Sequence, residues 1–155
     1  MPPVFKVSRP SESSSLKEIA VQSKSYWGYP TELLEKLKSA FPITEDYIER
    51  NLVRTLWDES SPVGFFSIVK GPPALLDHLW LLPSHIGKGH GMQALEEINA
   101  LCREEGISEL TLHSDPNAAA FYLKHGAERI GEVYSELQKT MLPKLKFSIR
   151  PSPSS

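Results

Sequence analysis

Apolar positions along this chain repeat with two periods, and the switches between them mark its elements. A short run at 4–7, stopped by Arg9-Pro10, predicts a first strand. Leu16, Ile19, Ala20, Ser23 and Trp27 then fall at helical spacing, so a helix is expected from 16 to about 26, with serines of the preceding polar loop as its caps. Trp27-Gly28-Tyr29-Pro30 breaks it. Thr31 is the expected cap of a second helix with Leu33, Leu34, Leu37 and Phe41 inward. A third piece starts at Pro42-Ile43-Thr44, with Thr44 as its cap and Tyr47 and Ile48 apolar. The period then becomes that of strands. Residues 52–57 and 63–69 predict a hairpin through Asp58-Glu59-Ser60-Ser61-Pro62. After Gly71-Pro72-Pro73, residues 74–82 predict the longest strand, apolar on both faces except at Asp77 and His78.

Helical spacing returns with Met92, Leu95, Ile98, Leu101 and Cys102, and Gly106 ends that helix. A short strand at 110–112 leads to Ser114-Asp115-Pro116, an expected N-cap followed by a first-turn proline. The short helix at 117–124 then stops at Gly126. Residues 128–134 and 145–149 are the last predicted strands. The order implies one α/β (α+β mixed) domain over 1–155, with a mixed sheet, helices on both faces, and flexible tails expected at 1–3 and 151–155.

Charge narrows the partners. The 155 residues carry 17 basic and 19 acidic side chains, a net charge of −2, and contain no long basic run, which argues against nucleic acid. No apolar run reaches the length of about 18 residues that a membrane span needs, and the first residues lack the apolar core of a signal peptide, so a cytoplasmic protein off the membrane is expected. The one cysteine, Cys102, and the histidine spacing offer no zinc pattern; no metal is expected.

The segment 79–95, LWLLPSHIGKGHGMQAL, carries the most chemistry. A strand, a proline, a turn with Gly87, Gly89 and Gly91, and a helix together outline a phosphate cradle, because backbone N–H groups and a helix N-terminus face one turn. A P-loop requires Ser or Thr after Gly-Lys, but Lys88 is followed by Gly89. A dinucleotide turn requires G-x-G-x-x-G, and the spacing here is G-x-G-x-G.

The run Pro83-Ser84-His85-Ile86-Gly87-Lys88-Gly89-His90-Gly91 resembles the pyrophosphate loop of the GNAT superfamily of N-acetyltransferases. Downstream, Asp115-Pro116-Asn117-Ala118-Ala119-Ala120-Phe121-Tyr122-Leu123-Lys124-His125-Gly126-Ala127 is similar to its second acetyl-CoA motif. The resemblance covers residues 75–132. It implies a central mixed, mostly antiparallel sheet of six to seven strands with helices on both faces and a splay between strands 4 and 5. It also implies acetyl-CoA as co-substrate, direct attack on the thioester by a primary amine of a small-molecule acceptor, and a possible homodimer.

Site residues follow from the same resemblance. Gly87, Lys88, Gly89, His90, Gly91 and Met92 would hold the diphosphate, and main-chain N–H groups of Leu81 and Leu82 the thioester carbonyl. Asn117 matches the family's asparagine near the thiol end. Ile86 stands where the superfamily usually has Arg or Gln, which weakens the diphosphate contact, and Lys88 is placed to supply the missing charge. Tyr122, whose phenol ordinarily titrates near pH 10, is the expected proton donor to the leaving thiolate, with Phe121 free to fill the neighbouring core position.

An ammonium must lose a proton before it attacks. Asp77 and His78 are the two candidate bases. Strand alternation puts them on opposite faces, so one of them faces a given cleft; Asp77 has the better parity and His78 the better pKa. A strand-end pair hydrogen-bonded to its neighbours is the other reading. Trp27 and Tyr29 are either a packed helix corner or an aromatic wall of the acceptor pocket. A non-catalytic CoA or acyl-CoA-binding sensor or assembly module is the alternative to the enzyme, and a partner-binding domain without cofactor is the third possibility.

Overall fold

The computed structural model describes residues 2–40, 43–136 and 138–150, with 37–40 as backbone alone. In chain order the elements are β1 (Val4–Val7), α1 (Ser13–Tyr26), α2 (Thr31–Ala40), α3 (Glu45–Arg50), β2 (Leu52–Asp58), β3 (Ser61–Val69), β4 (Ala74–Leu81), α4 (His90–Glu104), β5 (Glu109–His113), α5 (Ala119–Lys124), β6 (Glu128–Ser135) and β7 (Thr140–Ser148). The strands form one sheet in the order β1-β2-β3-β4-β5-β7-β6. Every neighbouring pair is antiparallel except β4 and β5.

That parallel pair is brief. Ala74 pairs with Leu110 and Leu75 with Thr111, and the Thr111 hydroxyl donates to the Ala74 carbonyl at 3.0 Å. β4 continues to Leu81, whereas β5 soon ends at His113 and the chain turns away. The turn is fixed by the Asp115 side chain, whose Oδ1 accepts from the Asn117 N–H at 2.8 Å. Beyond Leu75, therefore, the two strands part.

Each face of the sheet has its own core. On one side Phe66, Ile68, Leu76, Leu110 and Leu145 pack with Ala94, Ile98 and Cys102 of α4 and with Tyr122 of α5. On the other, Val53 and Phe65 pack with Leu16, Ile19 and Ala20 of α1 and Ile48 of α3. Successive β3 residues Phe65 and Phe66 point to opposite sides, as a strand requires, and both are 0 % exposed. Burying each contributes about 1.5–3 kcal/mol.

Three local expectations differ from the structure. The serines at 13–15 form the first turn of α1 rather than cap it. A short 3-10 turn, Pro10–Glu12, precedes that helix, and the Glu12 carboxylate accepts from the Arg9 N–H at 2.9 Å and the Thr55 hydroxyl at 2.7 Å. α5 starts at Ala119 because Pro116 and Asn117 are spent in the Asp115 turn. β7 begins well before Leu145 although it contains Pro143. The Pro143 carbonyl accepts from Ser114 N–H at 2.8 Å, so its missing N–H faces the same side, one residue past the end of β5, where the regular ladder stops.

Candidate active site

The glycine turn builds a cavity at the open end of β4 and β5. A 3-10 turn at Pro83–His85 follows β4, and Gly87 and Gly89 take φ +80 and +86, a region that side chains with a Cβ rarely adopt. Gly91 is required for a different reason: a Cβ there would lie 2.8 Å from Cζ of Phe121. The first amide of α4 to bond back is that of Gln93, to the Gly89 carbonyl at 3.1 Å, and no side chain caps the helix. The amides of His90, Gly91 and Met92 are thus left as outward donors at its positive end.

Gly91 and Met92 line a cavity of about 520 Å³ whose walls also include Leu81, Ile86, Gly87, Asn117 and Tyr122. Leu82 N–H donates across the ladder to the Val63 carbonyl at 2.8 Å. In an antiparallel ladder the next amide points the opposite way, so that of Leu81 faces the gap left by β5. Of the two expected main-chain donors, only Leu81 is placed for the role; the Leu82 N–H is already engaged.

Tyr122 stands at the neck of this cavity. It is 7 % exposed and belongs to the core, while Phe121 beside it is only partly buried and leans on Gly91 and His125, with ring centroids 5.3 Å from Tyr122 and 4.9 Å from His125. The core-filling role expected of Phe121 has therefore passed to the tyrosine ring. No described residue hydrogen-bonds the Tyr122 hydroxyl. Burial, then the Asp115 carboxylate, raise its pKa above the ordinary phenol value, so it holds its proton at any physiological pH.

A polar pocket of about 230 Å³ lies on the other side of the gap, lined among others by Lys24, Tyr29, Asp77, His78, His113 and Asp115. A space of about 60 Å³ between the two cavities shares Tyr122 and Ala118 with one and Asp77, His78 and Asp115 with the other. Strand alternation fails here. Ser67 pairs with His78 but Ile68 pairs with Leu76, which makes Asp77 an extra residue in β4. The bulge turns Asp77 and His78 to the same face, so both line the polar pocket instead of one of them.

The bulged pair is held by named partners. Tyr47 Oη donates to Asp77 Oδ2 at 2.5 Å and lies 2.9 Å from the Ser67 hydroxyl. Burial, then the Asp77 charge, push the Tyr47 phenol upward. The Trp80 indole N–H donates to His78 Nδ1 at 3.1 Å, and His78 Nε2 is 3.8 Å from Asp77 Oδ2. Burial outweighs the favourable carboxylate and lowers the His78 pKa to about 4, with Lys24 adding to the shift. The imidazole is neutral near pH 7.

A family model described as the acetyltransferase (GNAT) family matches residues 15–127, which include the glycine turn, the parted strands and Tyr122. The chain belongs to the GNAT family. An uncharacterized acetyltransferase of Streptococcus pyogenes is 30% identical over 89 residues, which are 56% of this chain and 61% of that protein. Another, from serotype M1 of the same organism, is 29% identical over 102 residues, 60% of this chain and 72% of that protein. The chain thus spans less than two thirds of the first relative's length. Among solved structures, a GCN5-related N-acetyltransferase from Rhodopseudomonas palustris has a TM-score of 0.80 at 21% identity and 96% coverage of both chains. The PaiA N-acetyltransferase of Thermoplasma acidophilum, solved in complex with coenzyme A, has a TM-score of 0.81 at 20% identity, with 96% of this chain and 99% of that one covered. These similarities show the GNAT fold, of which the parted β4–β5 pair is part.

Within this GNAT fold, Ile86, Gly87, Gly89, Gly91, Met92, Asn117 and Tyr122 converge on the larger cavity. Lys88 is exposed and is not among the residues that line it. His90 turns to Gln93, with Nδ1 3.1 Å from its Oε1, and its ring lies tilted beside that of His85, centroids 5.6 Å apart. Trp27 and Tyr29 separate: Trp27 borders the larger cavity and Tyr29 the polar pocket. Phe41 lies outside the described residues, as do Pro42 and the tail from Pro151. Lys24 and the pocket-facing side of Asp115 were missed by sequence reasoning. A lysine four residues after Ala20, on the buried stripe of α1, was the legible signal for the first; Asp115 was read only as a cap.

Among the described residues, no group of three His, Cys, Asp or Glu is arranged to hold a metal ion, and no helix is long and apolar enough to cross a membrane.

Proposed function

We propose that this GNAT chain is an N-acetyltransferase that moves the acetyl group of acetyl-CoA to a primary amine by direct attack. The observation that carries the reading is the gap between β4 and β5: the glycine-turn amides and the Tyr122 phenol border it on one side, Asp77 and Asp115 on the other. A fold shared with a relative solved with coenzyme A supports the same use of the larger cavity.

The chain's own groups then take distinct tasks. The main-chain amides of the segment 87–92 hold the diphosphate, and Ile86 does not supplement them with a side-chain charge. Leu81 N–H donates to the thioester carbonyl, where negative charge develops on attack. Ala118, small and one helical turn before Tyr122, leaves room for the pantetheine arm beside Asn117. Tyr122 Oη gives its proton to the sulfur as the C–S bond breaks. Across the gap, Asp77, fixed by Tyr47, receives the ammonium of the acceptor. His78 serves this site as a neutral spacer, because its one basic nitrogen already accepts from Trp80.

The reading is tested by titrating the full chain with CoA in a calorimeter and then following thiol release from acetyl-CoA over a panel of primary amines. Binding of CoA together with amine-dependent thiol release supports it. Binding without release on any amine would assign a carrier or sensor instead.

A further inference from the structure

The buried stripe of α1 ends in a charge. Leu16, Ala20 and Lys24 follow one another at four-residue spacing, and all three are buried, Lys24 at 7 % exposure. Its Nζ stands 4.8 Å from the centre of the Trp80 ring, and its side chain lines the polar pocket beside Asp77 and Asp115. Packing in a helix stripe does not call for a lysine. Removing an ammonium from water is costly unless nearby charge compensates.

Compensation here is partial. Burial lowers the Lys24 pKa to about 8 against the opposing pull of Asp115 and Asp77. A lysine tuned close to working pH can accept a proton and give it up again within each cycle. The other titratable groups facing it are less suited. His78 Nδ1 accepts from Trp80, and Asp77 Oδ2 accepts from Tyr47. His113 is held below an ordinary histidine by burial and by Lys144. Tyr29 and Tyr134 complete the wall. Asp115 differs from these: its Oδ2 is buried and has no hydrogen-bond partner among the described residues, at the passage between the two cavities.

Resting on the transferase reading above, we infer that Lys24 is the catalytic proton acceptor, standing over Trp80 beside the two carboxylates that seat the incoming ammonium. The acceptor R–NH₃⁺ settles against Asp77 and the open oxygen of Asp115 and passes one proton to the uncharged Lys24 Nζ. The lone pair so freed forms the N–C bond to the acetyl carbon. As the C–S bond breaks, sulfur takes the Tyr122 proton. The proton that the new amide nitrogen sheds restores the phenol, and Lys24 returns its own to solvent.

The test is the pH profile of kcat/KM with an acceptor whose amine has an ordinary pKa of about 10, measured for the wild-type chain, Lys24→Arg and Lys24→Met. Arginine keeps the cation but does not deprotonate. Wild type should gain activity through a limb near pH 8. Lys24→Arg should retain CoA affinity, lose about 100-fold in kcat, and lose that limb. If arginine does not fit the buried site and the melting temperature collapses, Lys24→Met decides by the same two readouts. Wild-type kcat or an unmoved limb in a folded variant overturns the role of Lys24 alone. Wild-type protein that binds CoA but releases no thiol with any amine overturns the transferase reading, and this inference with it.

Discussion

The Trp80 indole and His78 are locked to each other: Nε1–H donates to Nδ1 at 3.1 Å. The bond places the imidazole proton on Nε2, on the side of Asp77, and leaves no basic lone pair for an acceptor. The arrangement has a pH signature. The His78 pKa of about 4 in the folded chain lies below the ordinary 6.5, so the unfolded chain binds more protons between those values. Stability is then fully present above pH 6.5 and falls as pH drops toward 4. Melting temperatures of wild type and His78→Gln should diverge across that window, with the wild type losing more per pH unit. Parallel curves would mean that His78 titrates normally.

Tyr47 fixes the bulge from the opposite layer. Replacing it by Phe removes its bonds to Asp77 and Ser67 and leaves a partly buried carboxylate short of a donor. The expected cost is about 1–3 kcal/mol in denaturant unfolding. The KM for amine should rise while affinity for CoA, on the far side of the gap, stays level. A fall in CoA affinity would show that Tyr47 supports the whole site rather than the acceptor side.

Gly89 and Gly91 should fail differently when changed to alanine. At Gly89 nothing crowds a Cβ, but φ is +86, so the cost is backbone strain of about 1–2 kcal/mol. At Gly91 the backbone tolerates alanine, but the new methyl meets the Phe121 ring at 2.8 Å and pushes it across the cavity. Gly91→Ala is therefore expected to weaken CoA binding, read by calorimetry, by more than its effect on melting temperature accounts for. Equal loss in both would reduce Gly91 to a packing position.

Much of this architecture could be read from residue patterns because the periodic stripes are long. Leu16, Ile19 and Ala20, and Ile98, Leu101 and Cys102, bury as their spacing requires, whereas Met92 at the start of the second stripe stays 41% exposed at the cavity mouth; Gly106 and Gly126 end their helices in positive φ. The glycine turn and the Asp115–Ala127 segment were legible as two motifs in order. The polar pocket was not. One inserted residue at Asp77 reverses the parity on which the facing of Asp77 and His78 was judged, and a bulge leaves no composition trace. The engagement of Leu82 N–H by Val63 depends on ladder phase, which a single strand does not carry. Lys24 was visible as a charge on a buried stripe, but only the sheet beyond it gives that charge its partners.

Tyr122 separates the transferase reading from mere CoA binding. Its hydroxyl has no hydrogen bond among the described residues, so Tyr122→Phe should change stability by less than about 1 kcal/mol and leave CoA affinity intact. The decisive measurement is amine-dependent thiol release from acetyl-CoA by wild type and Tyr122→Phe at matched saturation. The expected result is turnover by wild type and a kcat lower by about 100-fold or more in the variant. Equal rates in the two proteins, or no amine-dependent release by wild type that binds acetyl-CoA, would contradict it.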